Sequence, residues 1–219
     1  MYLKRKTIPK FWPIPRKGTK YLAVCSHNKN NAIPLNVVMR DVLKLVNNNK
    51  ELKHALKQKQ ILINNKIISE TNYPVSLFDI ITITTLKKNY KTFLSEYKKF
   101  KFEEVSGKES ESKVFKVLGK KVLGKNKTQI NLSDGRNLLF TDKEKVKTGD
   151  SVLFDLKNNK MIKIIPMEKG KNVFVIEGKH AGKYGKISEI IERGGKTIAK
   201  IIADKDKMNV WIKNIIVIE

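Results

Sequence analysis

The chain has 219 residues, 40% hydrophobic and 31% charged, with 46 Lys+Arg against 21 Asp+Glu and a net charge of +25. That is apolar material enough for one large domain or several small ones, and self-repulsion of this size is tolerated most easily when a polyanion neutralises it, so nucleic acid is the expected partner. No apolar run approaches the roughly 20 residues of a membrane-spanning helix, the basic start "MYLKRKTIPKFW" lacks the apolar stretch of a signal peptide, and Cys25 alone allows neither a disulfide framework nor a thiolate zinc site.

The expectation is a cytosolic, nucleic-acid-binding chain with no membrane partner. His27, His54 and His180 are scattered without ligand spacing, so no metal site is expected. The charge is uneven: residues 1–60 carry 14 basic and 2 acidic residues, about half of the excess. The main anion-binding surface is therefore expected toward the N-terminal end.

Residues 1–33 show no sustained period, and Pro9, Pro13 and Pro15 break any helix that starts there. Lys4, Arg5, Lys6, Lys10, Arg16 and Lys17, interleaved with Phe11 and Trp12, predict an arm that orders on RNA through phosphate contacts and stacking. Pro34 is placed to open a helix, in which Leu35, Val38, Val42, Leu43 and Val46 recur at helical spacing and Arg40 and Lys44 face elsewhere. Asn47, Asn48 and Asn49 end it and offer an N-cap to a second helix. There Leu52, Ala55 and Leu56 face a core while Lys50, Lys53 and Lys57 line up on another side. A lysine stripe on its own is most often only a solvated face.

"ILINNKII", residues 61–68, reads as two strands around Asn64-Asn65, residue types that tolerate the positive φ of a two-residue hairpin turn, and "DIITITT" from Asp79 supplies a further strand. Two small helices followed by this hairpin and strand resemble the small RNA-binding fold first described in ribosomal protein S-four and shared with many pseudouridine synthases and tyrosyl-tRNA synthetases. That fold usually carries glycine where this chain has Asn65. The resemblance adds Asn64, Asn65 and Lys66 to the candidate RNA-binding residues.

From Val114 strand-like segments follow one another, separated by turn signals at Gly124, Asp134-Gly135 and Asn158-Asn159, and "KTGDSVLFDL" puts Gly149-Asp150 at a strand entry. A small antiparallel barrel or curled sheet is expected, then a second, miniature one. In the last segment Gly170, Val173, Val175, Gly178, Gly182, Gly185 and Ile187 hold a spacing that resembles the KOW motif of ribosomal proteins and NusG-type transcription factors. Glycines there let a loop approach a partner closely, Lys179, Lys183 and Lys186 can reach phosphates, and His180 and Tyr184 can stack on bases. A plain barrel corner with solubilising lysines is the alternative.

No phosphate-binding G-x-x-x-x-G-K-[ST] loop, nucleophile elbow or H-E-x-x-H occurs, and Asp134 reads as a turn residue, so neither catalysis nor a cofactor or small-molecule substrate is expected. The fold class expected is α+β and multidomain: an arm over 1–33, a helix-hairpin RNA-binding domain over 34–100, and two small antiparallel barrel-like domains over 101–168 and 169–219. "LKR…PKFW" at 3–12, "IPLNVVMRDVLK" at 33–44, "TNYPVSLFDIITI" at 71–83, "VKTGDSVLFDL" at 146–156, the KOW stretch and "NIIVIE" at 214–219 resemble the archaeal and eukaryotic small-subunit ribosomal protein family of the S-four "e" type. The resemblance implies a monomeric constituent of the cytoplasmic ribosome that binds small-subunit ribosomal RNA beside neighbouring ribosomal proteins. A KOW-bearing transcription or translation regulator, or an accessory RNA-binding factor, is the rival reading.

Overall fold

Strand-forming residues dominate the chain, and its computed structural model, which describes residues 2–124, 127–141, 146–203 and 206–218, is mostly β with few helices. That shifts the balance of the expected α+β class toward β. The chain divides into two compact units, Met1–Glu111 and Ser112–Glu219.

In the first unit β1 (Tyr2–Lys4) and β2 (Tyr21–Ala23) form an antiparallel ribbon. β3 (Ala32–Pro34) leads into α1 (Leu35–Val37), whose turn widens to a π-turn over Val38–Val42, and α2 (Asn49–Lys57) follows. β4 (Ile61–Ile63) and β5 (Lys66–Ile67) make a hairpin, and β6 (Pro74–Ser76) pairs with β3. β7 (Ile80–Ile83), β8 (Lys88–Leu94) and β9 (Phe100–Glu104) complete a five-stranded sheet in the order β5-β4-β7-β8-β9. Because β9 pairs with β8, residues 101–111 lie with the first unit, although the sequence pattern opened the central domain at 101.

Three expectations are corrected here. Pro34 is not the first helical residue but ends β3, with an extended ψ of 140°. The first helix does not run to Val46: the amides of Leu43 and Leu45 reach back to the carbonyls of Val38 and Met39, and Lys44 at φ 54° turns the chain away. The β-branched residues in "NVV" favour helix poorly, so only burial of Leu35, Val37, Val38 and Met39 holds this short piece. Nor are residues 1–33 a bare arm. Prolines stop helices but not packing, and Trp12 is 4% exposed with its Nε1–H donating to the carbonyl of Ala32 at 3.2 Å.

The hairpin turn has the expected backbone, with φ of 50° at Asn64 and 61° at Asn65. Buried Asp79 fixes it from the next strand. One carboxylate oxygen accepts from the Asn64 side-chain amide at 2.6 Å and the other from the Ser76 amide at 2.6 Å, while Asn64 Oδ1 accepts from the Ile80 amide at 3.1 Å. The aspartate of "LFDIITI" thus satisfies donors from two turns at once.

In the second unit β10 (Ser112–Gly124), β11 (Lys127–Leu132), β12 (Asn137–Thr141), β13 (Ser151–Asp155) and β14 (Lys160–Ile165) form a sheet in the order β12-β11-β10-β13-β14. Gly124, one of the expected turn signals, ends β10 at φ of 89°, and residues 125–126 and Glu219 of "NIIVIE" lie outside the described residues. β15 (Asn172–Val175), β16 (Tyr184–Arg193), β17 (Lys196–Ala203), β18 (Asp206–Trp211) and β19 (Ile215–Ile218) form another in the order β18-β17-β16-β15-β19. Val173, Val175, Ile187, Ile201, Val210 and Val217 share one core with Ile165 of β14, so both sheets belong to one packed body. At its centre Lys116 of β10, 4% exposed, donates from Nζ to the carbonyls of Ile212, of Lys213 at 3.0 Å and of Ile215 at 2.7 Å. Ser151 of β13 accepts from the Val217 amide at 2.9 Å beside it.

Candidate nucleic-acid interface

α2 carries the clearest cationic surface. Asn48 caps it, its Oδ1 accepting from the amides of Lys50 at 2.9 Å and Glu51 at 3.0 Å, and Glu51 reaches back to the Asn47 amide at 2.7 Å. Leu52 and Leu56, one turn apart, are buried, which leaves Lys50, Lys53 and Lys57 exposed. Lys53 and Lys57 line a groove of 590 Å³ together with Lys29, Ser26, Ser69, Thr71 and Asn72. Three ammonium groups and several hydroxyl and amide donors gathered in one groove suit a phosphate-rich strand. Glu70 is the one acidic residue among its walls. Cys25 also lines it, but burial pushes its thiol up to about 11, so it stays protonated and unreactive near neutrality.

A second groove, of 370 Å³, joins Arg5 of the N-terminal segment to Arg40, Lys44 and Asn47. Its two arginines are already engaged. Arg5 donates from Nε and Nη1 to the carbonyls of Thr19 and Pro15, both at 2.7 Å, and from Nη2 to the Thr19 hydroxyl at 3.0 Å, so it holds the 15–19 loop in place. Arg40 binds Asp41 in a two-pronged pair at 2.9 and 2.8 Å. That hydrogen bond raises the pKa of the guanidinium, and the carboxylate cancels its charge for an outside partner. Lys44, exposed and on a positive φ, is the cation this groove presents.

Of the other residues expected to touch RNA, Lys4, Lys6, Lys10, Arg16, Lys17, Asn65, Lys66, Lys179, Tyr184 and Lys186 are exposed. Trp12 and Asn64 are corrected: the indole is in the core and the asparagine spans the hairpin to Asp79, so neither side chain is open to a base. Phe11 is half-buried and spends its ring on Phe100, 4.8 Å away.

In the glycine-rich loop between β15 and β16 the three glycines differ in role. Gly178 and Gly182 take φ of 98° and 88°, which turn the chain, and Gly182 donates to the Val175 carbonyl at 2.8 Å. Gly185 has ordinary φ but no room: a Cβ there would sit 2.8 Å from the Ile202 carbonyl and against the Ile201 side chain. Gly185→Ala is therefore expected to pry β16 from β17 and lower the stability of the second unit by about 1–3 kcal/mol, read as a lower urea midpoint. His180 and Lys183 are half-buried, and Tyr184 leans on Phe174 at 4.7 Å. The loop is built first as a corner of the sheet.

Residues 86–161 match ribosomal family S4e, and residues 169–208 match the KOW motif. The small ribosomal subunit protein eS4 of Nanoarchaeum equitans is 30% identical over 221 residues, covering 98% of this chain and 94% of that protein. The chain belongs to ribosomal family S4e. The S4e match spans β8 into β14, and the KOW match runs from the turn before β15 into β18. Among other S4e relatives, eS4 of Methanocella arvoryzae is 34% identical over 192 residues, 86% of this chain and 80% of that protein. The crystal structure of 30S ribosomal protein S4e from Thermoplasma acidophilum shares the fold, with a TM-score of 0.75 at 23% identity over 87% of this chain and 96% of that one.

For this S4e chain the sequence pattern found Lys53 and Lys57 but missed Lys29, Ser26, Ser69, Thr71 and Asn72 opposite them. Those lie in loops between strands, and no local period marks which loops converge on α2. Asp134 is a turn residue, paired to Arg136 at 3.2 Å and to Lys113 at 3.8 Å, with φ of 83° at Gly135 beside it. The Arg136 guanidinium lies 5.5 and 5.4 Å from the Phe115 and Phe154 ring centres, which makes this charge group part of the packing. Among the described residues no group of three or more His, Cys, Asp or Glu is placed to hold a metal ion, and no helix is long and apolar enough to cross a membrane.

Proposed function

We propose that the chain is a non-enzymatic structural constituent of the small ribosomal subunit, which binds small-subunit ribosomal RNA and lies beside neighbouring ribosomal proteins in the cytoplasmic ribosome. Near full-length similarity to eS4 proteins supports the assignment, and the observation that carries the binding mode is the groove that sets Lys53 and Lys57 against Lys29. Lysines and short polar side chains there neutralise and position phosphates, so RNA shape rather than base identity sets the specificity. The exposed cations of the N-terminal segment and of the β15–β16 loop add to the same field. The helix-hairpin part of the first unit and the two curled sheets of the second are the scaffold for these surfaces, with barrel-like closure of each sheet as the finer reading.

The test is salt-dependent binding to a transcript of the small-subunit ribosomal RNA. Lys53→Ala with Lys57→Ala is expected to weaken binding and to reduce the slope of log K against log salt by about 1.5, the share of two phosphate contacts. An unchanged slope would remove the groove from the interface. The strong basic excess of residues 1–60 argues against the polymerase-associated KOW reading. Sedimentation of extract separates the two: co-migration with small subunits in moderate salt is expected, and recovery with polymerase or in free pools would favour the regulator.

A further inference from the structure

The β8–β9 hairpin ends in Ser95-Glu96-Tyr97-Lys98-Lys99, and Tyr97 at its tip is 87% exposed, the most exposed aromatic side chain among the described residues. A ring left this far out in water contributes little to folding, since its value lies in the area it buries. Yet the tip is not a loose loop. The Ser95 amide donates to the Lys99 carbonyl at 2.8 Å, the Lys98 amide to the Ser95 carbonyl at 2.8 Å, and the Tyr97 amide to the Ser95 hydroxyl at 3.2 Å. Lys98 holds φ of 60° to close the turn. The root is fixed as well: the Phe100 amide donates to the Phe11 carbonyl at 2.8 Å and the two rings meet, so the hairpin is joined to the basic segment that contains Lys10.

A rigid support therefore presents one aromatic ring to solvent, followed directly by two exposed lysines. Glu96 is exposed on the same tip and opposes them, so the tip itself carries a single net positive charge. The neighbours of Tyr97 along the tip are Glu96, Lys98 and Lys99, residue types depleted in protein–protein interfaces. Unpaired RNA bases, by contrast, splay out onto aromatic rings while lysines take the phosphates beside them, and such stacking accepts any base. We infer that Tyr97 is a base-stacking residue for an unpaired nucleotide of small-subunit ribosomal RNA, with Lys98 and Lys99 on the flanking phosphates. This rests on the ribosomal-RNA reading above and adds to it a contact outside the α2 groove.

The experiment measures binding of the full chain to the small-subunit ribosomal RNA transcript across a salt series. Tyr97→Ala is expected to bind about 5- to 150-fold more weakly, with an unchanged salt slope, because a stack releases no counterions. Tyr97→Phe keeps the ring and should bind within about twofold of the wild type, the hydroxyl adding little to a stack. Lys98→Ala with Lys99→Ala should instead lower the slope. The thermal melt of Tyr97→Ala should match the wild type, which separates lost stacking from lost fold. Wild-type binding by Tyr97→Ala, or a Tyr97→Phe as weak as Tyr97→Ala, overturns the assignment. So does a Tyr97→Ala protein that binds RNA normally but is depleted from assembled subunits, since that outcome puts a protein at the tip. If the wild-type chain fails to bind the transcript, the ribosomal-RNA reading falls and this contact with it.

Discussion

Trp12→Ala is expected to destabilise the first unit by about 3–5 kcal/mol, the usual cost of removing a large buried ring from a core. The indole is buried and its N–H is spent on the Ala32 carbonyl, so the change leaves both a cavity and a buried acceptor without its donor. Trp12 and Trp211 are the two tryptophans of the chain, and Trp211 is 49% exposed. In a Trp211→Phe background the blue-shifted fluorescence of Trp12 therefore reports the unfolding of the first unit alone. Trp12→Phe should recover most of the stability, missing only the hydrogen bond and part of the contact area. If Trp12 were a base-stacking residue on an arm, Trp12→Ala would weaken RNA binding and leave the urea midpoint where it was. A midpoint shift at unchanged m-value decides for the core.

Lys116→Met should cost the second unit about 2–4 kcal/mol. Two opposing effects set that figure. Methionine removes the penalty of burying an ammonium, the same burial that pushes the Lys116 pKa down to about 8. It also removes every donor from three carbonyls gathered around one nitrogen, and orphaned buried acceptors cost about 1–3 kcal/mol each. The second effect is the larger because a neutral amine still donates two hydrogen bonds, so losing the proton strands one carbonyl while losing the nitrogen strands all three. The pH dependence carries the opposite sign to a surface ion pair. Between pH 8 and the ordinary lysine value of 10.5 the unfolded chain holds a proton that the folded chain releases, so wild-type stability rises with pH across that window, by about 3 kcal/mol. Urea unfolding, followed by hydrogen exchange of the strand amides in 112–218, should show that rise in the wild type and its absence in Lys116→Met. A falling or flat wild-type profile would contradict the buried ammonium.

What could be read from the sequence was whatever a short window encodes. Asn64-Asn65 announces its turn because two adjacent residues must both accept positive φ, and Asn48 announces α2 because a cap is local. The glycine spacing 178, 182, 185 identified the last sheet, although the reason for Gly185 is a carbonyl 17 residues away on β17, visible only in the fold. Trp12 was misread because its setting, prolines and lysines, is that of an unfolded arm, and the carbonyl that receives its indole N–H lies 20 residues on. Lys116 in "VFKVL" is a single lysine in an apolar strand, and nothing in that window shows what would receive its ammonium. The cationic side of the α2 groove showed as a lysine stripe, but the loops opposite were silent. Charge totals drew attention to residues 1–60 without revealing that Arg5 and Arg40 were already taken.

The Lys116 cluster also sets an order on synthesis. The carbonyls that receive its ammonium come 96, 97 and 99 residues after it, and Ser151 waits 66 residues for the Val217 amide. As the chain leaves the ribosome that makes it, the first unit has all its strands by residue 104, whereas β10 emerges with a charged group that no nascent residue can satisfy. Burying it then would strand an ammonium in apolar surroundings, so the middle of β10 stays in water until β19 is available. The second unit's long-range pairing waits for residues 212–217, and its folding rate is set by that long loop closure rather than by the speed of any single hairpin.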